Sequence, residues 1–181
     1  MKLKLLLENV EESRKQFITE CSGLSSKQSH FKPSPDVWSV TDNVEHLFWA
    51  EWGGINGMWK AIEGIKTNSP VWSQPATREG LSIEEIVDKT WTPKEKVPMG
   101  AEPRLGGPLE YWISSLKACA PMLKDLFDEL NTHDQLETII YPHPISGPLN
   151  VIQRFEFLRF HIDRHTEQVK NLKNHPDFPK S

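Results

Sequence analysis

Cysteine is scarce: Cys21 and Cys119 are the only two in 181 residues, too few for the disulfide framework of a small secreted domain. No apolar run reaches eighteen residues, so nothing reads as a membrane span and no membrane partner is expected. The opening Met1-Lys2-Leu3-Lys4-Leu5-Leu6-Leu7 has some of the look of a secretory leader. Its apolar run stops at Glu8, however, and Glu11, Glu12, Arg14 and Lys15 follow, so it reads as the first turns of a helix. There is no basic run either: 21 Lys and Arg stand against 25 Asp and Glu for a net charge of −4, which speaks against a nucleic-acid partner. A phosphate loop, a dinucleotide fingerprint and a Ser-His-Asp arrangement are also missing. A reduced, cytoplasmic location and one domain over residues 1–181 are the resulting expectations.

What is present is helical periodicity. Leu3, Leu7, Val10, Phe17, Cys21 and Leu24 make a stripe interrupted where Arg14 occupies it, predicting a helix over residues 2–22 with Gly23 as its stop. Ser39 and Asp42 have capping-box spacing, predicting a second helix from about Val40 to Gly64. Gly53, Gly54 and Gly57 within it make room for a close neighbour or a ligand, with packing the simpler reading. A third helix begins near Gly107 or Pro108, with the stripe Leu109, Trp112, Leu116, Cys119, Leu123, Leu126 and Leu130; because the phase survives Pro121, a kink is expected there and no termination. A fourth runs from about Leu149 to Lys173 on Val151, Phe155, Leu158, Ile162, His165, Val169 and Leu172.

Residues 66–108 hold six of the fourteen prolines, and only Ser82–Thr90 has the pattern of a short helix there. No convincing alternating strand occurs, and residues 139–141 are too short an extended piece to change the class. The expectation is an all-α, four-helix bundle with a long Pro-rich connection between helices 2 and 3.

His165 takes a core position in an apolar stripe, and His161 lies one turn before it. An i, i+4 pair of this kind can present two imidazoles to one metal, or can simply be hydrogen-bonded. His46 on the second helix is the candidate third ligand, since facing helices of a bundle commonly supply ligands together; its structural alternative is an interfacial histidine beside Trp49. Gln168, three residues after His165, faces the same side and could orient a ligand or water, or stand as an ordinary helix-surface glutamine. Asp163 points elsewhere. Glu45 is rotated from His46, so a solvent-facing role is the simpler reading beside that of a general base.

His143 belongs to the turn His143-Pro144-Ile145-Ser146-Gly147-Pro148 and reads structurally. His30, His133 and His175 lack ligand spacing. Trp49, Trp52 and Trp59 read as a packed face, while Trp72 and Trp91 read first as packing of the Pro-rich segment, with lining of a pocket as the alternative. Cys21 and Cys119 read as small buried hydrophobes.

Trp38-Ser39-Val40, Glu45-His46-Leu47, His143-Pro144 with Gly147 and Leu149, and His161-Ile162-Asp163-Arg164-His165 with Gln168 together resemble the DinB-like superfamily of damage-inducible and YfiT-type proteins. The resemblance implies a four-helix bundle holding one divalent metal ion, nickel or zinc, through His46, His161 and His165. Characterised relatives include metal-dependent transferases of low-molecular-weight thiols such as bacillithiol and mycothiol. The implied partners are therefore a small-molecule substrate, including such a thiol, and a second copy in a homodimer. The implied chemistry is thiol S-transfer or a hydrolase-like attack on a small electrophile, against the alternative of a non-catalytic metal-binding stress-response protein.

Overall fold

The computed structural model describes residues 2–76, 78–92 and 96–180. The chain is mostly helical, with one small two-stranded sheet. The helices are α1 (Lys2–Cys21), α2 (Ser26–Ser29), α3 (Val40–Lys66), α4 (Ile83–Thr90), α5 (Leu109–Leu130) and α6 (Val151–Lys173). Strands β1 (Ile140–His143) and β2 (Gly147–Asn150) form a hairpin between α5 and α6.

The stripes do what their spacing requires. Leu3, Leu7, Val10, Phe17 and Cys21 of α1 are buried, chiefly against α6, and all seven stripe positions of α5 are buried, chiefly against α3. Pro121 lies within α5, which runs on through it to Leu130. Alpha-3 starts where the capping box predicts: the Ser39 hydroxyl accepts the Asp42 amide at 3.1 Å, and the Asp42 carboxylate accepts the Ser39 amide at 2.9 Å. Gly23 follows α1 with φ of +75°, the left-handed conformation that glycine adopts without penalty.

Arg14 breaks the α1 stripe because it has a buried counterpart. Its guanidinium pairs with the Glu51 carboxylate of α3, and both side chains are almost wholly excluded from solvent. Gly57 is explained by packing, since a Cβ there would lie 2.0 Å from the Tyr141 ring.

Three expectations need correction. Alpha-6 begins at Val151, two residues later than its periodicity suggests, because Leu149 pairs with Tyr141 in the hairpin and Asn150 is the helix cap, accepting the Gln153 amide at 2.9 Å. The extended piece at 139–141 is thus part of a true hairpin, closed by Gly147 at φ of +75°. Pro142 and Pro148, which face each other, hide the usual strand signal. Trp49, Trp52 and Trp59 are not one packed face: Trp49 is half-buried, but Trp52 and Trp59 are 42% and 37% exposed. The buried face of α3 instead carries Val44, Leu47, Ile55, Met58 and Ile62.

Within the Pro-rich segment, α4 buries Ile83, Ile86 and Val87 against Leu149 and Phe157 in a second, smaller core. This docks the segment onto β2 and α6 and holds part of it over the face that carries the histidines.

Candidate metal centre

The side chains of His46, His161 and His165 come from α3 and α6, are all buried, and lie with one ring nitrogen each within 4.8 Å of one another. The Nε2 of His161 is 3.1 Å from that of His46 and 3.2 Å from that of His165. Nitrogens bound to a common small divalent ion at about 2.0–2.1 Å would sit about 3.0–3.4 Å apart, so the spacing suits such an ion.

The outer ring nitrogens fix which atoms face inward. His46 Nδ1 lies 2.7 Å from the Ala101 carbonyl and His165 Nδ1 lies 2.7 Å from Asn43 Oδ1. A carbonyl oxygen can only accept, so the proton of each imidazole is on Nδ1 and each Nε2 turns a lone pair inward. His161 Nε2 can donate to one of those two at most. A cluster with more acceptors than protons is the arrangement a cation satisfies, and outward Nδ1–H donation is the usual way a metal-binding imidazole is oriented. Asn43 is itself held, its Nδ2 donating to the Ser39 carbonyl at 2.8 Å. The cap that starts α3 therefore also orients His165.

Burial lowers His46 to about 4, although its bond to Ala101 pulls the other way. Burial, then the neighbouring histidines and Arg164, holds His161 well below the usual imidazole value; burial leads for His165 too, with His46 and Arg164 adding to it. His143, lowered to about 3 by burial and then by Arg154, joins them as a neutral ring. A histidine with a depressed folded value disfavours folding once the unfolded chain takes up its proton, near pH 6.5. The metal-stripped protein is therefore expected to lose stability as pH falls from about 6.5 towards the folded values, with His46 and His143 each contributing about 1–2 kcal/mol at pH 5. Urea midpoints at pH 7.5 and pH 5 check this, and equal midpoints would contradict it.

Glu45 is not solvent-facing, as its position beside His46 suggests, but fully buried. Its carboxylate accepts the amides of Arg104, Leu105 and Gly106 at 2.8, 2.8 and 2.9 Å and the Trp49 indole at 3.3 Å. Burial pushes this carboxyl up, but the four donors outweigh it and hold the group below its usual range. With the Ala101 carbonyl on His46, Glu45 pins the segment around 101–106 to α3. Glu45→Gln is expected to cost about 1.5–3 kcal/mol and to speed amide hydrogen exchange at Arg104–Gly106. The stabilisation is present above the ordinary carboxyl value of about 4.3 and is lost as pH falls through the lower folded value. Unchanged exchange at those amides would overturn this role.

The histidines open onto a cavity of about 840 Å³ whose lining includes Trp38, Trp52, Trp91, His143, Arg154 and Gln168. Gln168 is half-buried and acts on His165. Asp163 pairs with Arg159 at 3.1 Å, away from the cluster, as its position in α6 suggests. Trp91 lines the cavity whereas Trp72 does not and is 39% exposed. His143 is structural: its Nδ1 accepts the Ile145 and Ser146 amides at 3.2 and 3.0 Å. His175 also lines the cavity, though outside the histidine cluster.

Neither cysteine lines the cavity, and both are fully buried. Burial pushes the Cys21 thiol up, and burial followed by Glu51 pushes Cys119 up to about 12. The chain thus brings no thiolate of its own.

Sequence reasoning missed Asn43 and Arg154. Both were reachable by helical spacing, Asn43 three residues before His46 and Arg154 seven before His161, on the faces that carry the ligand candidates.

Comparison with known proteins agrees with this architecture. The chain is 25% identical over 170 residues to the uncharacterized protein YuaE of Bacillus subtilis (strain 168), covering 90% of this chain and 93% of that one. It also shares a fold with a conserved protein of Enterococcus faecalis whose crystal structure is known, with a TM-score of 0.53 and 14% identity over 94% of each chain. The sequence pattern of the DinB superfamily matches residues 9–169, most of the chain, and the protein belongs to that superfamily.

Proposed function

We propose that His46, His161 and His165 bind one divalent metal ion, nickel or zinc, at the wall of a substrate cavity, and that the protein is a metal-dependent enzyme acting on a small electrophile. The four long helices are read as the four-helix bundle that presents this site. The observation that carries the reading is the convergence of three inward Nε2 atoms at the edge of a roomy cavity. A structural metal site is closed by four protein ligands; three imidazoles leave a position for something else. When bound, such an ion supplies a Lewis acid that lowers the pKa of an incoming thiol or water at that open position.

The remaining work falls to this chain's own residues. Asn43 and Ala101 hold two imidazoles in one tautomer and orientation. Trp38, stacked on His165 at 6.1 Å, and Phe157, stacked on His161 at 5.2 Å, keep bulk water from the back of the rings. Gln168 offers an amide to a ligand or water near His165. With both cysteines buried elsewhere, a thiol nucleophile must enter as a substrate, which favours thiol S-transfer over a protein-thiol mechanism; hydrolysis of the electrophile is the second reading.

The test is conjugation of small thiols to a haloarene by metal-loaded protein. Turnover that disappears on chelation and in His161→Ala, with helicity retained, is the expected result. Inactivity of fully loaded protein over a broad thiol panel, with no hydrolysis of the electrophile, would contradict the enzymatic reading and favour metal binding without turnover.

A further inference from the structure

Arg154 on α6 is 5% exposed and lines the same cavity, yet its Nη1 has no hydrogen-bond partner. Among the described residues no carboxylate forms an ion pair with it. Its guanidinium lies over the rings of Tyr141 at 5.0 Å and Phe157 at 5.9 Å. Aromatic faces attract a cation but do not replace its hydration or its counter-charge, and a buried charge left uncompensated is costly. Burial lowers its pKa only to about 10, so it stays cationic at neutral pH.

The fold makes room for this costly group. Gly54 on α3 faces it so closely that a Cβ there would sit 3.1 Å from Arg154 Nη2. The charged lining of the cavity has the same bias: Lys96, Arg154 and Arg164 are cationic, and Asp36 is the single carboxylate among the described lining residues. Beside Arg154, His143 is held neutral, so it competes for no anion.

We propose that Arg154 is a carboxylate-binding subsite: the substrate of this cavity carries a carboxylate that pairs with the guanidinium and an apolar body that lies along Tyr141, Phe157 and Trp91. A planar guanidinium suits a carboxylate because its N–H donors are fixed in the geometry of the two oxygens. The assignment rests on reading the cavity as the substrate site, but it does not depend on the metal.

The test is calorimetric titration of metal-stripped protein at pH 7.5 with phenylacetate, its neutral analogue phenylacetamide, and phenyl phosphate. Phenylacetate should bind at least about tenfold more tightly than phenylacetamide, with charge-assisted pairing as the cause. Arg154→Met should bring the acid-to-amide ratio close to one while keeping or raising Tm, because an uncompensated buried charge is removed. Arg154→Lys should restore part of the preference. Gly54→Ala, which crowds the guanidinium without removing its charge, should weaken it severalfold and serves if the methionine variant does not fold.

Because the titration uses metal-stripped protein, it separates this proposal from the metal assignment: loss of metal binding would not touch it. A preference that is absent from the wild type, or that survives in Arg154→Met, would overturn the subsite. Phenyl phosphate binding as tightly as phenylacetate would overturn its assignment to carboxylates.

Discussion

Alanine at Glu51 or at Arg14 is expected to lower the unfolding free energy by about 3–5 kcal/mol. Against a total of about 5–15 kcal/mol for a domain, this is a large share of the stability. The reason is the location of the pair. Arg14 and Glu51 are 3% and 2% exposed, between α1 and α3, and removing either leaves the other as a bare charge in the core. Burial holds Glu51 above its usual range even though Arg14 beside it pulls the other way, so the pair stands only while both partners are present. Replacing both at once with residues of similar bulk, Arg14→Met with Glu51→Leu, should recover most of the loss, since two apolar side chains carry no desolvation penalty. Urea unfolding of the two single variants and the double variant measures the coupling directly. Single-variant losses below about 1 kcal/mol would show that the pair is not the buried unit described.

His161→Ala should abolish stoichiometric metal binding while leaving the helices in place. His161 is the ring whose Nε2 lies within 3.2 Å of both the others, so its loss leaves two imidazoles without the atom that joins them. The fold survives because the main core is built from apolar positions of α1, α3, α5 and α6 that do not depend on the histidines. Asn43→Ala should weaken metal binding by about 10–100-fold, the usual effect of removing the group that orients a ligating imidazole. Competition with a chelator of known affinity gives both numbers, and circular dichroism verifies folding. If Asn43→Ala bound metal as tightly as wild type, the Asn43–His165 contact would have no part in preparing the site.

The long helices were legible because their apolar periodicity spans five or more turns and their caps use recognisable chemistry, as Ser39 with Asp42 does. The clustering of the three histidines was legible for a related reason: His161 and His165 share one helical face, His46 sits on a helix that a bundle would bring opposite them, and the wider pattern of motifs agreed. What the sequence hid depends on contacts between distant segments. Glu45 looked peripheral because nothing near it in sequence shows that three amides at 104–106 converge on it. Trp52 and Trp59 looked buried because tryptophan usually is; in the fold Trp52 borders the cavity and Trp59 faces solvent. The hairpin escaped notice because its paired prolines suppress alternation. Arg154 was overlooked because an arginine on a helix reads as a surface residue until a neighbouring glycine and two aromatic rings enclose it.

In the proposed site three imidazoles from α3 and α6 hold one divalent ion. Elemental analysis of tag-free protein, joined to X-ray absorption at the edge of whichever metal is found, tests it most directly. About one ion per chain with three imidazole nitrogens in its coordination sphere is the expected result, and none in His46→Ala, His161→Ala or His165→Ala variants that still fold. Wild-type protein that takes up no nickel, zinc, iron or manganese after reconstitution would contradict it.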